Sequence, residues 1–318
     1  MKASNKLILF LLSVLTLSCE DVLEEDITSD IVLIIYPQNN TVIESNVVTF
    51  QWNNLEGADE YRVQVFAENQ SLVLDSLVPT KQFTYPLNPG NYQWRVRGEN
   101  FAYVSTYSYA SNFSVVETSD LENQQVILLN PANNLLTNNS TITFNWQALS
   151  AADTYAFELI NVTAGSTIVH QLQGLTNESL TLNNSIISTD SEYIWKVKGV
   201  NSTSETVYAS RNFKLDKVNP NQPVNNLPAN EAVHNADEDI TFNWTMPSDV
   251  GTIQSDITFT IEFSNSLSFS TILQTSNVNE TTFTESFTVV GDYYWRITAK
   301  DAAGNIGLSS TPFKFTIN

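Results

Sequence analysis

The chain offers few of the side chains that act as nucleophiles, general bases or metal ligands. Its one cysteine is Cys19, so a disulfide within the chain and a multi-thiolate metal site are both excluded. Its two histidines, His170 and His234, share no metal-binding spacing, and we interpret them as ordinary surface or loop residues. No motif of a serine hydrolase, a zinc protease or a nucleotide-binding loop occurs, and no pair of carboxylates stands out as that of a glycosidase. We therefore predict no enzyme activity, no catalytic residue and no cofactor.

Two acidic segments offer the oxygen ligands that calcium prefers. They are 237–239, which reads Asp-Glu-Asp, and 301–305, which reads Asp-Ala-Ala-Gly-Asn. Calcium takes about six to eight oxygen ligands, and neither segment has the ligand spacing of an EF-hand loop. Asp, Gly and Asn are also the residues that tight turns favour. We therefore interpret both segments as turns and predict no metal site.

Four aromatic residues occur close together in the segment 101–109. They are Phe101, Tyr103, Tyr107 and Tyr109. Flat apolar rings with a polar handle, near the tip of a loop, are typical of surfaces that bind sugars or proteins. We therefore name Phe101, Tyr103 and Tyr107 as candidate ligand-binding residues. The alternative is that Tyr107 and Tyr109, which alternate, begin the core face of the following strand.

A set of basic residues alternates with large apolar residues and is therefore expected on the solvent face of one sheet. The set consists of Arg95, Arg97, Lys196, Lys198 and Arg296. Pairing with acids on neighbouring strands explains such a row, at a fraction of a kcal/mol per pair, roughly. The alternative is that the row binds a carboxylate or sulfate group of a carbohydrate.

The charge balance excludes one class of partner. The chain has 34 acidic and 14 basic residues and a formal net charge of -20. An acidic surface repels the phosphate backbone of nucleic acids, so we predict no nucleic-acid partner.

The N-terminus has the pattern of a secretory signal peptide. Lys2 and Lys6 precede the apolar run 7–15, which is shorter than the roughly 20 residues of a membrane-spanning helix. Ser18 stands immediately before Cys19, and the segment Leu-Thr-Leu-Ser-Cys resembles the lipobox of bacterial lipoproteins. That resemblance implies that residues 1–18 are removed and that Cys19 is acylated.

The resemblance to lipoproteins also implies a location. We expect the chain to be lipid-anchored to the outer membrane of a Gram-negative bacterium and exposed at the cell surface. The segment 19–30 is predicted to be an acidic tether, and its residues 20–26 resemble the export signal of some surface lipoproteins. The alternative is an ordinary signal peptide with Cys19 left as a free thiol.

The six tryptophans reveal an internal repeat of roughly a hundred residues, the size of one small domain. The first set ends a run of alternating apolar residues and consists of Trp52, Trp146 and Trp244. The second set lies inside another such run and consists of Trp94, Trp195 and Trp295. Three prolines keep the same register, namely Pro37, Pro131 and Pro228. Alternation with a period of two indicates half-buried β-strands whose large residues face a core.

The repeat resembles the fibronectin type III and related bacterial immunoglobulin-like domains. The segment 87–92, Leu-Asn-Pro-Gly-Asn-Tyr, is similar to a conserved corner of that family, and 300–305 is similar to a turn of its bacterial members. The fold class is therefore predicted to be all-β, with three tandem immunoglobulin-like antiparallel sandwiches. The predicted domains span 31–117, 125–216 and 223–318, and polar linkers separate them.

Such domains bind through end loops or strand edges and need no buried chemistry. We therefore expect a non-catalytic lipoprotein of the cell envelope that serves as a spacer and as a module for protein interaction or adhesion. The alternative is a glycan-binding accessory lipoprotein, because the layout resembles that of the lipoproteins of outer-membrane polysaccharide uptake. The expected partners are the membrane, through the lipid, and an envelope protein or an extracellular glycan.

Overall fold

The computed structural model describes residues 24–318, so the predicted signal peptide and Cys19 lie outside the described residues. Over this range the chain forms 24 β-strands and no helix. No described helix could therefore cross a membrane. The chain divides into two compact units. The first, up to Ile43 and Val48–Val116, contains one β-sandwich, and the second, Glu44–Val47 and Glu117–Asn318, contains two.

The first sandwich consists of a three-stranded and a five-stranded sheet. Its strands are β1 (Ile34–Tyr36), β2 (Thr41–Ile43), β3 (Val47–Trp52), β4 (Glu60–Ala67), β5 (Leu72–Val78), β6 (Gln82–Pro86), β7 (Gly90–Glu99) and β8 (Ser111–Val115). The small sheet has the order β1-β3-β6 and the large one the order β2-β8-β7-β4-β5. Strand β2 runs parallel to β8, whereas β4 is antiparallel to both of its neighbours.

The second and third sandwiches repeat this topology strand for strand. The second contains β9 (Leu128–Asn130), β10 (Leu135–Thr137), β11 (Ile142–Trp146), β12 (Thr154–Asn161), β13 (Thr167–Leu175), β14 (Ser179–Leu182), β15 (Ser191–Val200) and β16 (Ala209–Leu215). The third contains β17 (Val224–Leu227), β18 (Ala232–His234), β19 (Asp239–Thr245), β20 (Ile257–Ser264), β21 (Ile272–Val278), β22 (Thr282–Ser286), β23 (Gly291–Asp301) and β24 (Phe313–Ile317). In both, the first, third and sixth strands form the small sheet.

The cores follow the predicted alternation. In β3 the side chains of Val48, Phe50 and Trp52 are buried, and the residues between them are only half-buried. The ring of Phe50 meets that of Trp94, from the opposite sheet, at a centroid distance of 4.9 Å. The equivalent contacts are Phe144–Trp195 at 5.2 Å and Phe242–Trp295 at 5.2 Å. All six tryptophans are buried, so the prediction of three tandem β-sandwiches is confirmed.

A tyrosine corner closes each sandwich. A tyrosine hydroxyl donates to the backbone carbonyl four residues earlier, as Tyr92 to Asn88 (2.8 Å), Tyr193 to Thr189 (2.9 Å) and Tyr293 to Val289 (2.8 Å). The bond holds the turn that leads into the strand carrying the second tryptophan.

Two apolar side chains lie in segments that the sequence marks as polar. Ile27, in the predicted acidic tether, and Leu121, in the predicted linker between the first two domains, are both fully buried. Leu121 belongs to the core cluster of the second sandwich. The segments that precede the first strands are therefore packed against the sandwiches that they enter.

The corner hydrogen bond can be tested in the third sandwich. We expect Tyr293→Phe to lower the free energy of unfolding by about 1 kcal/mol, because the carbonyl of Val289 loses its donor. Tyr294→Phe is the matched control, since Tyr294 lies on the opposite, half-exposed face of β23. Urea denaturation followed by tryptophan fluorescence measures both, and equal losses in the two variants would contradict the role given to the corner.

Candidate binding surface of the first sandwich

The loop between β7 and β8 carries the candidate aromatic residues, and Asn100 shapes its tip. The side-chain oxygen of Asn100 accepts hydrogen bonds from the backbone N–H groups of Ala102 (3.1 Å) and Tyr103 (2.8 Å). The side-chain nitrogen donates to the carbonyls of Gly57 (2.7 Å) and Glu25 (2.9 Å). One amide thus joins three segments of the chain and fixes the position of the tip.

The base of the same loop is held by two serines. The hydroxyl of Ser105 accepts from the N–H of Gly98 at 2.9 Å, and that of Ser108 accepts from the N–H of Val96 at 3.0 Å. Backbone bonds run in the other direction between the same partners. A Cβ at Gly98 would lie 2.8 Å from the Cβ of Ala58, which cannot move without its backbone, so this close approach favours glycine. The loop is therefore ordered before any ligand arrives.

The rings at the tip face water. Phe101 is 95% exposed, Tyr109 is 86% exposed and Tyr103 is 36% exposed. Val104 beside them is also exposed. The alternative in which Tyr109 begins the core face of the last strand is wrong, because β8 begins only at Ser111 and Tyr109 points into solvent.

Tyr107 occupies a different environment from Phe101 and Tyr103. Its ring is half-buried and contacts two guanidinium groups, with the Cζ of Arg95 at 4.2 Å and that of Arg97 at 4.7 Å from the ring centroid. Burial raises the pKa of the Tyr107 hydroxyl, and the two arginines oppose that shift. Tyr107 therefore packs against the two arginines on the outer face of the large sheet.

The position of Tyr107 recurs in the second sandwich, which the sequence reasoning missed. Tyr208 lies 13 residues after Trp195, as Tyr107 lies 13 residues after Trp94. The Nζ of Lys198 lies 5.2 Å from the centroid of the Tyr208 ring. The common offset from the tryptophan was the signal that could have found this pair. Phe101, Tyr103 and Tyr109 are thus the aromatic residues that distinguish the first loop.

Three of the five residues of the basic row form salt bridges with acids. Arg62, on the neighbouring strand, contacts Glu99 at 2.7 Å and Asp75 at 3.0 Å, and Arg97 contacts Glu99 at 2.7 Å. Burial opposes the ionisation of Glu99, but the hydrogen bonds from both arginines outweigh it and hold the pKa of Glu99 below its usual value. Two further members of the row form salt bridges, Lys198 with Glu205 at 2.7 Å and Arg296 with Glu262 at 2.7 Å. Ion pairing therefore accounts for much of the row, and less positive charge is left for an anionic ligand.

Comparisons with known proteins were made for the whole chain. No protein-family model matches it, and no curated protein matches it in sequence. Among solved structures it is similar to the FN1–FN3 domains of chicken CNTN1, at 15% identity and a TM-score of 0.44, over 90% of this chain and 97% of that one. It is also similar to fibronectin(III)-like modules of Clostridium thermocellum CbhA, at 15% identity and a TM-score of 0.37, over 61% and 93% of the two chains.

The different environments of the loop residues predict different effects on stability. We expect Phe101→Ser to change the free energy of unfolding by less than about 0.5 kcal/mol, because its ring is already in water. We expect Tyr107→Ser to lower that free energy by about 1–2 kcal/mol, because two cation–π contacts and their packing are lost. Urea denaturation of both variants measures the difference, and a larger loss for Phe101→Ser would show that its ring is structural.

Proposed function

We propose that the chain is a non-catalytic binding and spacer protein of the cell envelope, and that the tip of the loop between β7 and β8 is its binding surface. One observation carries the proposal, namely the almost complete exposure of Phe101 on a loop whose backbone is already fixed. An exposed apolar ring gains free energy when a partner covers it, and a rigid loop loses little entropy on binding.

A protein partner is favoured by the chemistry of the tip. Phe101 and Val104 present apolar atoms only, and Tyr103 adds an aromatic ring with a hydroxyl. Exposed aromatic anchors of this kind are typical of the centre of protein interfaces. The spacer part of the proposal rests on the repetition of one sandwich topology three times in the described chain.

A glycan is the second candidate ligand, and Tyr109 favours it. Its ring is 86% exposed, so it offers a flat face on which a sugar could stack and a hydroxyl that can donate a hydrogen bond. This alternative would make the chain an accessory lipoprotein of polysaccharide uptake.

Binding by the intact chain tests both candidates. We expect Phe101→Ala/Tyr103→Ala to weaken binding of an envelope protein at least tenfold, because the two rings are the apolar anchors of the surface. Affinity capture from envelope extracts, followed by titration of the captured protein, measures this. A glycan array with the same chain tests the alternative, and glycan binding without protein capture would decide in its favour.

A matched control is available on the equivalent loop of the third sandwich. Leu308 is 76% exposed there, so Leu308→Ala removes a similar exposed apolar side chain from a different domain. Full affinity in the Phe101→Ala/Tyr103→Ala variant, or an equal loss in Leu308→Ala, would contradict the assignment of the binding surface to the first loop.

The envelope location rests on the signal peptide and on Cys19. We expect the chain to incorporate labelled palmitate when it is expressed with its signal peptide in a Gram-negative host, and Cys19→Ala to abolish the label, because the thiol is the acylation site. Radiolabelling followed by gel electrophoresis measures this. Protease treatment of intact cells is expected to degrade the wild-type chain if it is surface-exposed, and survival of the chain would instead indicate the periplasmic face.

A further inference from the structure

In the first two sandwiches an asparagine at one position links the loop after the seventh strand to two other segments. An isolated bridge marks this position in all three sandwiches, because the bridge begins at the residue just before it. The bridges are Glu99–Val104, Val200–Glu205 and Lys300–Ile306, so the equivalent residues are Asn100, Asn201 and Asp301. In the second sandwich the side-chain nitrogen of Asn201 donates to the carbonyls of Ser119 (2.9 Å) and Ala151 (3.0 Å). These carbonyls belong to the segment that precedes the sandwich and to the loop between its third and fourth strands, as in the first sandwich. In both sandwiches one side-chain amide therefore donates hydrogen bonds to the carbonyl oxygens of two other segments.

The third sandwich has acids at all three of these places. Asp301 replaces the asparagine, Asp216 lies in the preceding segment, and Asp249 lies in the loop between β19 and β20. Their carboxylate oxygens lie within 4.8 Å of one another, and Asp216 and Asp301 are buried. A carboxylate has no hydrogen to donate, so Asp301 cannot make the bridge itself. The side-chain nitrogen of Asn305 donates instead, to the carbonyl of Asp216 at 3.0 Å and to the Oδ2 of Asp301 at 2.8 Å.

Asp216 leaves one oxygen without a partner inside the protein. The side chain is fully buried; its Oδ1 accepts a hydrogen bond from the N–H of Val218 at 3.0 Å, and its Oδ2 accepts none. Burial, and then the charges of Asp301 and Asp249, raise the pKa of Asp216 to about 6. Within residues 24–318, none of these three acids forms a salt bridge with a basic side chain. Buried carboxylates are normally paired with a positive charge or bound to a metal ion.

The turn at Asp301 explains only part of this arrangement. Its Oδ1 accepts from the N–H groups of Gly304 and Asn305, both at 2.8 Å, as expected of a turn-forming aspartate. The turn gives no reason for a second and a third acid to converge on it from other segments. A carboxylate offers about four lone-pair sites, so these two bonds and the bond from the Asn305 side chain to Oδ2 (2.8 Å) still leave Asp301 room to contact a cation.

We propose that Asp216, Asp249 and Asp301 bind one calcium ion at the junction of the second and third sandwiches. All three ligands are hard oxygen donors, and calcium accepts irregular sets of mono- and bidentate carboxylates, with water completing about six to eight ligands. The cation balances the negative charge of three carboxylates, which meet where the first two sandwiches have a neutral asparagine amide. Zinc is disfavoured, because its protein sites are built mainly from cysteine and histidine, with carboxylates as a minority of the ligands.

The proposed ion lies where the chain passes from one sandwich to the next. Asp216 directly follows β16, and its carbonyl accepts from the side-chain nitrogen of Asn305 at 3.0 Å. The passage is tight, because a Cβ at Gly307 would lie 2.6 Å from the carbonyl oxygen of Pro220. Calcium would therefore fasten the connecting segment to two loops of the third sandwich and stiffen this junction.

Calcium binding by the full chain, purified in detergent and freed of metal with a chelator, tests the proposal. We expect isothermal titration with calcium chloride to show one site, and calcium to raise the melting temperature by several degrees, because the ion binds only the folded junction. Asp216→Asn keeps the size of the side chain and the acceptor for Val218, so the variant should fold. We expect its calcium affinity to fall at least tenfold and its melting temperature without calcium to equal or exceed that of the wild type.

Two further variants make the test specific. Asp249→Asn removes a charge from another segment and should also weaken calcium binding at least tenfold. Asp237→Asn removes the same charge from an exposed turn of the third sandwich and should leave binding unchanged. The proposal is overturned if calcium gives neither heat nor a melting shift, if Asp216→Asn keeps the wild-type response, or if sodium chloride at equal ionic strength gives the same shift.

Discussion

Each sandwich depends on one aromatic contact between its two sheets, in which a phenylalanine of the third strand meets the second tryptophan. Both residues lie at alternating positions in their strands, so a slip of one residue in either strand would expose the ring and bury polar neighbours. The contact therefore sets the face and the register of both sheets at once. In the first sandwich it joins Phe50 to Trp94. The register of these two strands fixes how their neighbours pair with them, and therefore which residues are left to the loops. The loops at those ends carry both candidate sites.

The loop after the seventh strand shows how one structural requirement has been met with different chemistry. Its first residue must hold the turn and join it to two other segments. Asn100 and Asn201 do so with a single amide, whose oxygen accepts from the turn and whose nitrogen donates to the neighbouring segments. Asp301 keeps the first half of this arrangement and loses the second. In the third sandwich the side-chain nitrogen of Asn305 provides the donor instead. Three carboxylates meet beside it, whereas the first sandwich has a neutral amide at the equivalent position, and this is the reason why only the third has a place for a cation.

The three sandwiches could be predicted from the sequence because their apolar residues recur with a regular period. Alternating residues around six tryptophans predicted the strands and the cores, and the structure follows them. Ile27 and Leu121 escaped prediction because a single apolar residue in a polar segment has no period. Tyr107 was grouped with Phe101 by proximity in the chain, although strand alternation turns it onto the sheet beside the arginines. The sequence could not predict that Asp216, Asp249 and Asp301 lie together, because only the fold brings their three segments close to one another.

The position of this acidic cluster also decides what can neutralise it. Within residues 24–318 most acidic side chains are exposed or half-exposed, and salt screens their charge over a distance of about 8 Å at physiological ionic strength. The pair of Arg62 with Glu99 is of this partly exposed kind, so its attraction is moderate and adjustable. Asp216 is buried beside Asp301, and mobile ions of the solvent cannot surround either carboxylate. Screening is therefore weak there, and repulsion between the carboxylates is relieved only by a positive charge or a proton bound directly to their oxygens. A bound divalent cation meets this condition with the charges intact, which is why the cluster is better suited to a specific ion than to the general ionic atmosphere.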